Sequence, residues 1–134
     1  AIMRSAAAFG AHALIMQDRH APQITGALAK AASGAVETLP LVRVTNLSRA
    51  LKNLKVARFW CVGLDGGSDI VLSKIKTDAR IALVMGAEDA GIRRLTAESC
   101  DIVARLPTID SFGTLNVSAA ATAALYECAR QQNS

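Results

Sequence analysis

The stretch ALVMGAEDAGIRRLTAESCDIVARLP, residues 82–107, decides the fold. The apolar run IALVM at 81–85 is continuous rather than alternating, the pattern of a strand covered on both faces. Gly86 ends that run, an acidic loop leads to Gly91, and a helical pattern follows over 92–98. A further strand over 102–106 stops at Pro107, which cannot extend a hydrogen-bonded ladder.

Working outward, the same alternation of short apolar runs and helical patterns continues. Strands are expected over 12–16, 41–44 and 59–63, and helices over 24–33 and 47–54. Asn46 stands just before LSRALKNL and can cap that helix with its side-chain oxygen. Both ends of the chain, 1–9 and 116–131, look helical and are rich in small residues, which allow close helix packing. This rhythm predicts an α/β fold, a mainly parallel sheet covered by helices, its strands buried on both faces. The chain of 134 residues is expected to be one domain, 1–134. A helix at residue 1 followed by a strand leaves the sheet one strand short, so upstream sequence is expected.

Composition narrows the class. Apolar residues make up 51 % of the chain, too many for disorder, and no apolar run approaches the ~18 residues that span a bilayer. The opening AIMRSAAAFG lacks a charged segment ahead of a long apolar stretch, and Arg4 interrupts it, so it does not read as a signal peptide. The expectation is a soluble, cytoplasmic protein. Cys61, Cys100 and Cys128 are odd in number and far apart, and with only His12 and His20 beside them they offer no metal-ligand spacing; buried, reduced thiols and no metal are expected. The net charge of +4 is compatible with a polyanionic partner.

Three stretches could carry chemistry. In the first, Gly86 lets a ligand approach the backbone beyond the end of a strand, where open α/β sheets bind ligands, and Gly91 permits a tight turn. Its G-x-x-x-x-G spacing is that of a phosphate-binding loop, but Ile92-Arg93 stands where Lys-Ser/Thr is required, and no G-x-G-x-x-G follows the first strand. In the second, LPTIDSFGTLNVSAA at 106–120, Asn116 can cap the following helix or present donors and acceptors to a substrate. The third is Arg4, which reads either as a surface cation or as a substrate contact.

Taken in order, these pieces resemble the three motifs of the SpoU-type (TrmH-like, SPOUT) RNA ribose 2'-O-methyltransferases. AIMRSAAAFG is similar to the end of motif 1, whose Asn would lie upstream of Ala1; residues 82–107 resemble motif 2, and GTLNVSAAATAALYE resembles motif 3, with Thr114 where Ser is usual. Asp89 and Ala90 replace the small residues usual around the motif 2 glutamate. The resemblance covers the whole chain and is nearest the branch that methylates a guanosine ribose in bacterial large-subunit ribosomal RNA.

The resemblance implies a parallel α/β sheet whose C-terminal part threads a backbone loop into a trefoil knot, an exception to the rule against threading. It implies S-adenosyl-L-methionine as cofactor, held by Gly86, Leu106 and Leu115 with Met85 and Gly91 beside them. It implies Arg4, Glu88, Thr114 and Asn116 as the catalytic set, RNA as the partner (ribosomal, or alternatively transfer RNA), a homodimer through the first and last helices, and a separate N-terminal RNA-binding domain. A guanidinium holds its proton at neutral pH and is a poor base, so Arg4 is expected to grip phosphate and orient the ribose while Glu88 is the candidate proton acceptor. Two other readings stand beside this one: a non-catalytic RNA-binding module with the same fold, and an unrelated doubly wound nucleotide-binding domain.

Overall fold

The computed structural model describes residues 2–17, 39–77, 80–86, 92–109 and 115–133. The elements are α1 (Ile2–Ala8), β1 (Leu14–Gln17), β2 (Leu41–Val44), α2 (Leu47–Val56), β3 (Trp60–Leu64), a single 3-10 turn (Leu72–Lys74), β4 (Ile81–Val84), α3 (Arg94–Ser99), β5 (Ile102–Ala104) and α4 (Val117–Gln132). The helix expected over 24–33 lies outside the described residues.

Every strand pairing among the described residues is parallel, as the sequence pattern predicts. The strands form two ladders rather than one. β1 pairs with β2 from Leu14↔Leu41 to Gln17↔Val44, and β3 sits between β4 and β5, with Trp60↔Ile81 and Val62↔Ile102 fixing the registers.

β3 is the centre of the fold. Its side chains alternate between two apolar clusters, as a pleated strand requires. Val62 and Leu64 pack with Leu72, Ile75, Ala104 and Ala124 of α4, whereas Cys61 packs with Leu51 of α2 and Val84. The strand is therefore sandwiched between α4 on one face and α2 on the other, and Cys61 through Leu64 are all buried. The expectation of two-sided burial holds for β3 and for β4, whose Ile81 and Leu83 pack on one cluster and Ala82 and Val84 on the other, whereas β1 and β2 each leave a side chain open, Met16 and Val42 at 39 % and 42 % exposure. Those strands have one ladder partner each among the described residues, whereas β3 has two.

Strand and helix ends shift from the sequence pattern for local reasons. β1 begins at Leu14, whose N–H donates to Pro40 O at 2.9 Å, while His12 and Ala13 are exposed beyond Gly10, which leaves α1 at φ 79°. β3 starts one residue late because Phe59 N donates back to Leu54 O, closing α2, with Arg58 in the left-handed region at φ 69°. β4 ends at Val84 with the last pair Gly63↔Val84, and β5 ends at Ala104 because Arg105 pairs with Val71 instead. The helix expected over 92–98 begins only at Arg94. Ile92 is buried against the backbone of β3, where a Cβ on Gly63 would lie 2.8 Å from Ile92 Cδ1 and 3.1 Å from Cys100 Sγ. Gly63 is what permits that approach.

Asn46 caps α2 as expected, its Oδ1 accepting from Arg49 N at 3.1 Å. Asp101 ties the start of β3 to that of β5: its Oδ2 accepts from Cys61 N at 2.7 Å, and its own N–H donates to Cys61 O at 2.8 Å. α4 is held at both ends. Near its start Thr122 meets Ser5 of α1, and near its finish Gln131 accepts from Thr77 N at 2.6 Å and donates to Ile75 O at 3.0 Å. The buried face of α4 is Ala121, Ala124 and Cys128, small side chains that bring the helix close to the sheet.

Candidate functional site

The carboxyl ends of β4 and β5, one on each side of β3, lie at the edge of the sheet where a ligand is expected. Met85 and Gly86 follow the last pair of β4, and Leu106 and Pro107 follow Arg105 beyond β5. Met85 and Leu106 are half-buried and pack against the same cluster, which includes Val62, Leu64 and Ala104, so two of the expected cofactor residues border one apolar cluster. Leu106 O accepts from Thr108 N at 2.9 Å, a tight bend that turns the chain away from the ladder. Leu115, 46 % exposed, stands directly before α4. Apolar side chains next to backbone that has left its ladder suit a flat heteroaromatic ring bound through main-chain hydrogen bonds, so the residues fit the expected cofactor.

Asn116 is the N-cap of α4, with φ −67° and ψ 162°, and its Oδ1 accepts from Ala119 N at 2.8 Å. The structural role thus occupies the carbonyl end of the side chain, and its Nδ2 has no hydrogen bond among the described residues. Arg4 is exposed on α1 and makes no ion pair among the described residues. Its neighbour Ser5 bonds to Thr122, which also donates to Ser118 O at 2.9 Å. Arg4 is therefore carried by a helix fixed against the first turns of the helix that Asn116 caps. Glu88, Gly91 and Thr114 lie outside the described residues.

The three elements that carry the expected motifs form a chain of contacts. α1 packs on α4 through Ser5 and through the Phe9 and Tyr126 rings, 5.8 Å apart and edge to face. α4 in turn places Ala124 in the cluster that Met85 and Leu106 cover. Elements are joined in this way, while Arg4, Asn116 and Met85 share no direct contact among those found. An open groove of ≈ 630 Å³ runs along α1 and α4, lined by Phe9, Asn116, Thr122 and Tyr126 among others. It holds Asn116 but none of Met85, Gly86 or Leu106. Its small and aromatic lining is that of a helix-packing surface rather than of a site with convergent polar groups.

The cysteines bear no mark of reactivity. Burial pushes the Cys61 and Cys128 thiols up, and burial with the nearby Cys61 pushes Cys100 up to about 11. Sequence reasoning missed Asp101, because its tie to Cys61 depends on the register between β3 and β5. Among the described residues no cluster of His, Cys, Asp and Glu could hold a metal ion, and no helix is long and apolar enough to cross a membrane.

Comparison with known proteins places the chain. The sequence profile of the SpoU rRNA Methylase family matches residues 1–126. The chain is 44 % identical over 133 residues to the 23S rRNA (guanosine-2'-O-)-methyltransferase RlmB of Escherichia coli K12, covering 99 % of this chain and 55 % of that protein. A Burkholderia enzyme of the same name is 47 % identical over 132 residues, covering 98 % and 53 %. Among solved structures, the SpoU methyltransferase AviRb from Streptomyces viridochromogenes in complex with AdoMet superposes with a TM-score of 0.87 at 32 % identity, over 99 % of this chain and 52 % of that one. The chain spans about half the length of the curated relatives it matches. With matched motifs, a matched fold and near-complete coverage, the chain belongs to the SpoU rRNA methylase family.

Proposed function

We propose that this chain is the catalytic domain of an RNA ribose 2'-O-methyltransferase that modifies a guanosine of 23S ribosomal RNA in the cytoplasm, using S-adenosyl-L-methionine. The observation that carries this is the seating of α4 on the strands that lead into Met85 and Leu106, together with the 44 % identity to RlmB over 133 residues. When bound, the cofactor supplies a methyl group on a sulfonium, already activated for in-line displacement.

The work left to the protein is alignment and removal of the 2'-hydroxyl proton. Alignment of reacting atoms can contribute several kcal/mol, on the order of 7 or more in favourable cases. In this reading Met85, Gly86, Gly91, Leu106 and Leu115 hold the cofactor through apolar contact and backbone hydrogen bonds. Arg4 grips the phosphate beside the target ribose. Glu88 accepts the proton, since a carboxylate is a far better base near neutral pH than a guanidinium. Asn116 contributes a donor from Nδ2, its carbonyl oxygen being used by the helix cap, and the Thr114 hydroxyl stands in for the more usual serine.

The same reading includes a C-terminal trefoil knot, an N-terminal RNA-binding domain ahead of residue 1, and a homodimer through α1 and α4. The apolar groove between Phe9 and Tyr126, with Tyr126 55 % exposed, supports the last of these. The test is to map 2'-O-methylation in RNA from cells lacking the protein. A guanosine of 23S rRNA that loses its methyl, and regains it on complementation, is expected. A site lost from transfer RNA would move the substrate to that RNA, and an unchanged map would favour a non-catalytic RNA-binding module.

A further inference from the structure

Positive charge is unevenly placed in this chain. No acidic residue occurs between Glu37 and Asp65, while Arg43, Arg49, Lys52, Lys55 and Arg58 all fall in that interval. These five cations exceed the net charge of +4 for the whole chain, so everything else sums to −1. α2 occupies the middle of the interval. At 100° per residue its Leu47, Leu51 and Leu54 form the stripe against the sheet, and Arg49, Lys52, Asn53 and Val56 share the opposite face. All four are exposed, Val56 by 85 %. Lys55, on the flank, lies 4.0 Å from Asp101, whereas Arg49 and Lys52 have no ion pair among the described residues.

The direction of this face relates it to the candidate site. α2 packs on β3 and ends only three residues before that strand begins, so it runs back against the strand and its start lies towards the carboxyl edge of the sheet. α3 follows β4, packs beside α2, and also starts at that edge with the exposed pair Arg93 and Arg94. Two exposed acids accompany this layer, Glu98 on α3 and Asp101 just after it, the latter already bonded to Cys61 N. At the opposite end, Arg58 follows α2, and the Arg80 guanidinium sits 5.4 Å over the Phe59 ring and donates to Ala57 O at 2.9 Å. Trp60, 36 % exposed, is next to that stack. An α-helix of ten residues is ~15 Å long, so the cations are strung along a track rather than gathered at a point.

We infer that the outer face of α2, centred on Arg49 and Lys52 and continued by Arg58 and Arg80, is a docking track for the phosphate backbone of RNA flanking the modified nucleotide. The inference rests on the RNA reading given above. Charge complementarity selects the occupant: a cationic helix face that carries no acid of its own and starts at the ligand edge fits a polyanion reaching out from that edge. Contacts of this kind fix position and register without reading sequence.

The test uses the full-length protein and a fluorescently labelled transcript of the 23S segment carrying the mapped guanosine. Binding is measured from 50 to 200 mM KCl for wild type, Arg49→Gln/Lys52→Gln, and a control, Lys74→Gln/Lys76→Gln, which removes equal charge from exposed positions outside the track. Loss of two phosphate contacts is expected to raise Kd about tenfold or more at 150 mM salt and to lower the log–log salt slope by about 1.5. The control is expected to keep both values, and calorimetric affinity for S-adenosyl-L-methionine is expected to be unchanged in every variant. An unchanged slope in the Arg49/Lys52 variant, or an equal loss in the control, overturns the track while leaving the RNA reading intact. A wild-type protein that neither binds nor methylates RNA overturns both. Should the double variant melt early, Lys52→Glu alone serves, with an expected fall in slope of about 1.

Discussion

Ser5 Oγ and Thr122 Oγ1 lie 2.8 Å apart, joining the first helix to the last across 117 residues of sequence. Because Thr122 Oγ1 already donates its proton to Ser118 O at 2.9 Å, Ser5 is the donor and Thr122 the acceptor. This bond fastens the helix carrying Arg4 to the helix capped by Asn116. Thr122→Val removes the acceptor and leaves a half-buried serine hydroxyl unpaired. A loss of about 1 kcal/mol in urea unfolding is expected, with little change for Thr122→Ser.

Asp101 should matter more than its 30 % side-chain exposure suggests. Its carboxylate satisfies the Cys61 amide, and its own amide returns a bond to Cys61 O, so it aligns β5 with the central strand. Asp101→Ala is expected to cost about 1–2 kcal/mol, most of it from the amide left without an acceptor. Asp101→Glu, which keeps the charge but lengthens the side chain, should not restore the loss. Melting curves of the two variants check this.

Thr77 is wholly buried and its hydroxyl finds no oxygen or nitrogen partner among the described residues, only the weakly bonding Cys128 sulfur, while its backbone is held by Gln131 and Gln132 of α4. Replacing the hydroxyl by a methyl of nearly the same shape removes a desolvation cost without opening a cavity. Thr77→Val is expected to stabilise the protein by about 1 kcal/mol, read as a rise in denaturation midpoint at constant m-value.

The thiols give an alkaline signature. Cys100 ionises at about 11 in the fold against an ordinary 9.0, because burial disfavours the thiolate. Below pH 9.0 the thiol is protonated in both states and costs nothing. As pH rises from 9.0 towards about 11 the unfolded chain releases the proton first, and stability falls. Cys100→Ala should flatten that part of the stability–pH curve relative to wild type.

How much of this was legible in the sequence depended on how local each feature is. The continuous run IALVM announced β4, and LVRV at Leu41–Val44 was located to the residue. Asn46 and Asn116 were readable as helix caps because a short polar side chain before an apolar pattern has few other uses. Features that need two distant segments in register were not readable: the Asp101–Cys61 tie, the Ser5–Thr122 bond, and Ile92 packed over Gly63, which delays α3 by two residues. The site divides in the same way. Met85 and Leu106 could be placed from strand ends and each packs against the same buried cluster, whereas the commitment of the Asn116 oxygen to Ala119 required the helix itself.

The central claim is that α1, the ends of β4 and β5, and the start of α4 together direct a methyl group to a ribose oxygen. It is tested most directly by giving the purified full-length protein, and its Arg4→Ala variant, labelled S-adenosyl-L-methionine and unmodified 23S rRNA, then digesting the product with alkali. The account predicts label in one alkali-resistant dinucleotide for the wild type, and a loss of at least a hundredfold in rate for Arg4→Ala with cofactor affinity retained, about 2.7 kcal/mol of transition-state stabilisation. Label found on a base, or full transfer by Arg4→Ala, would contradict it.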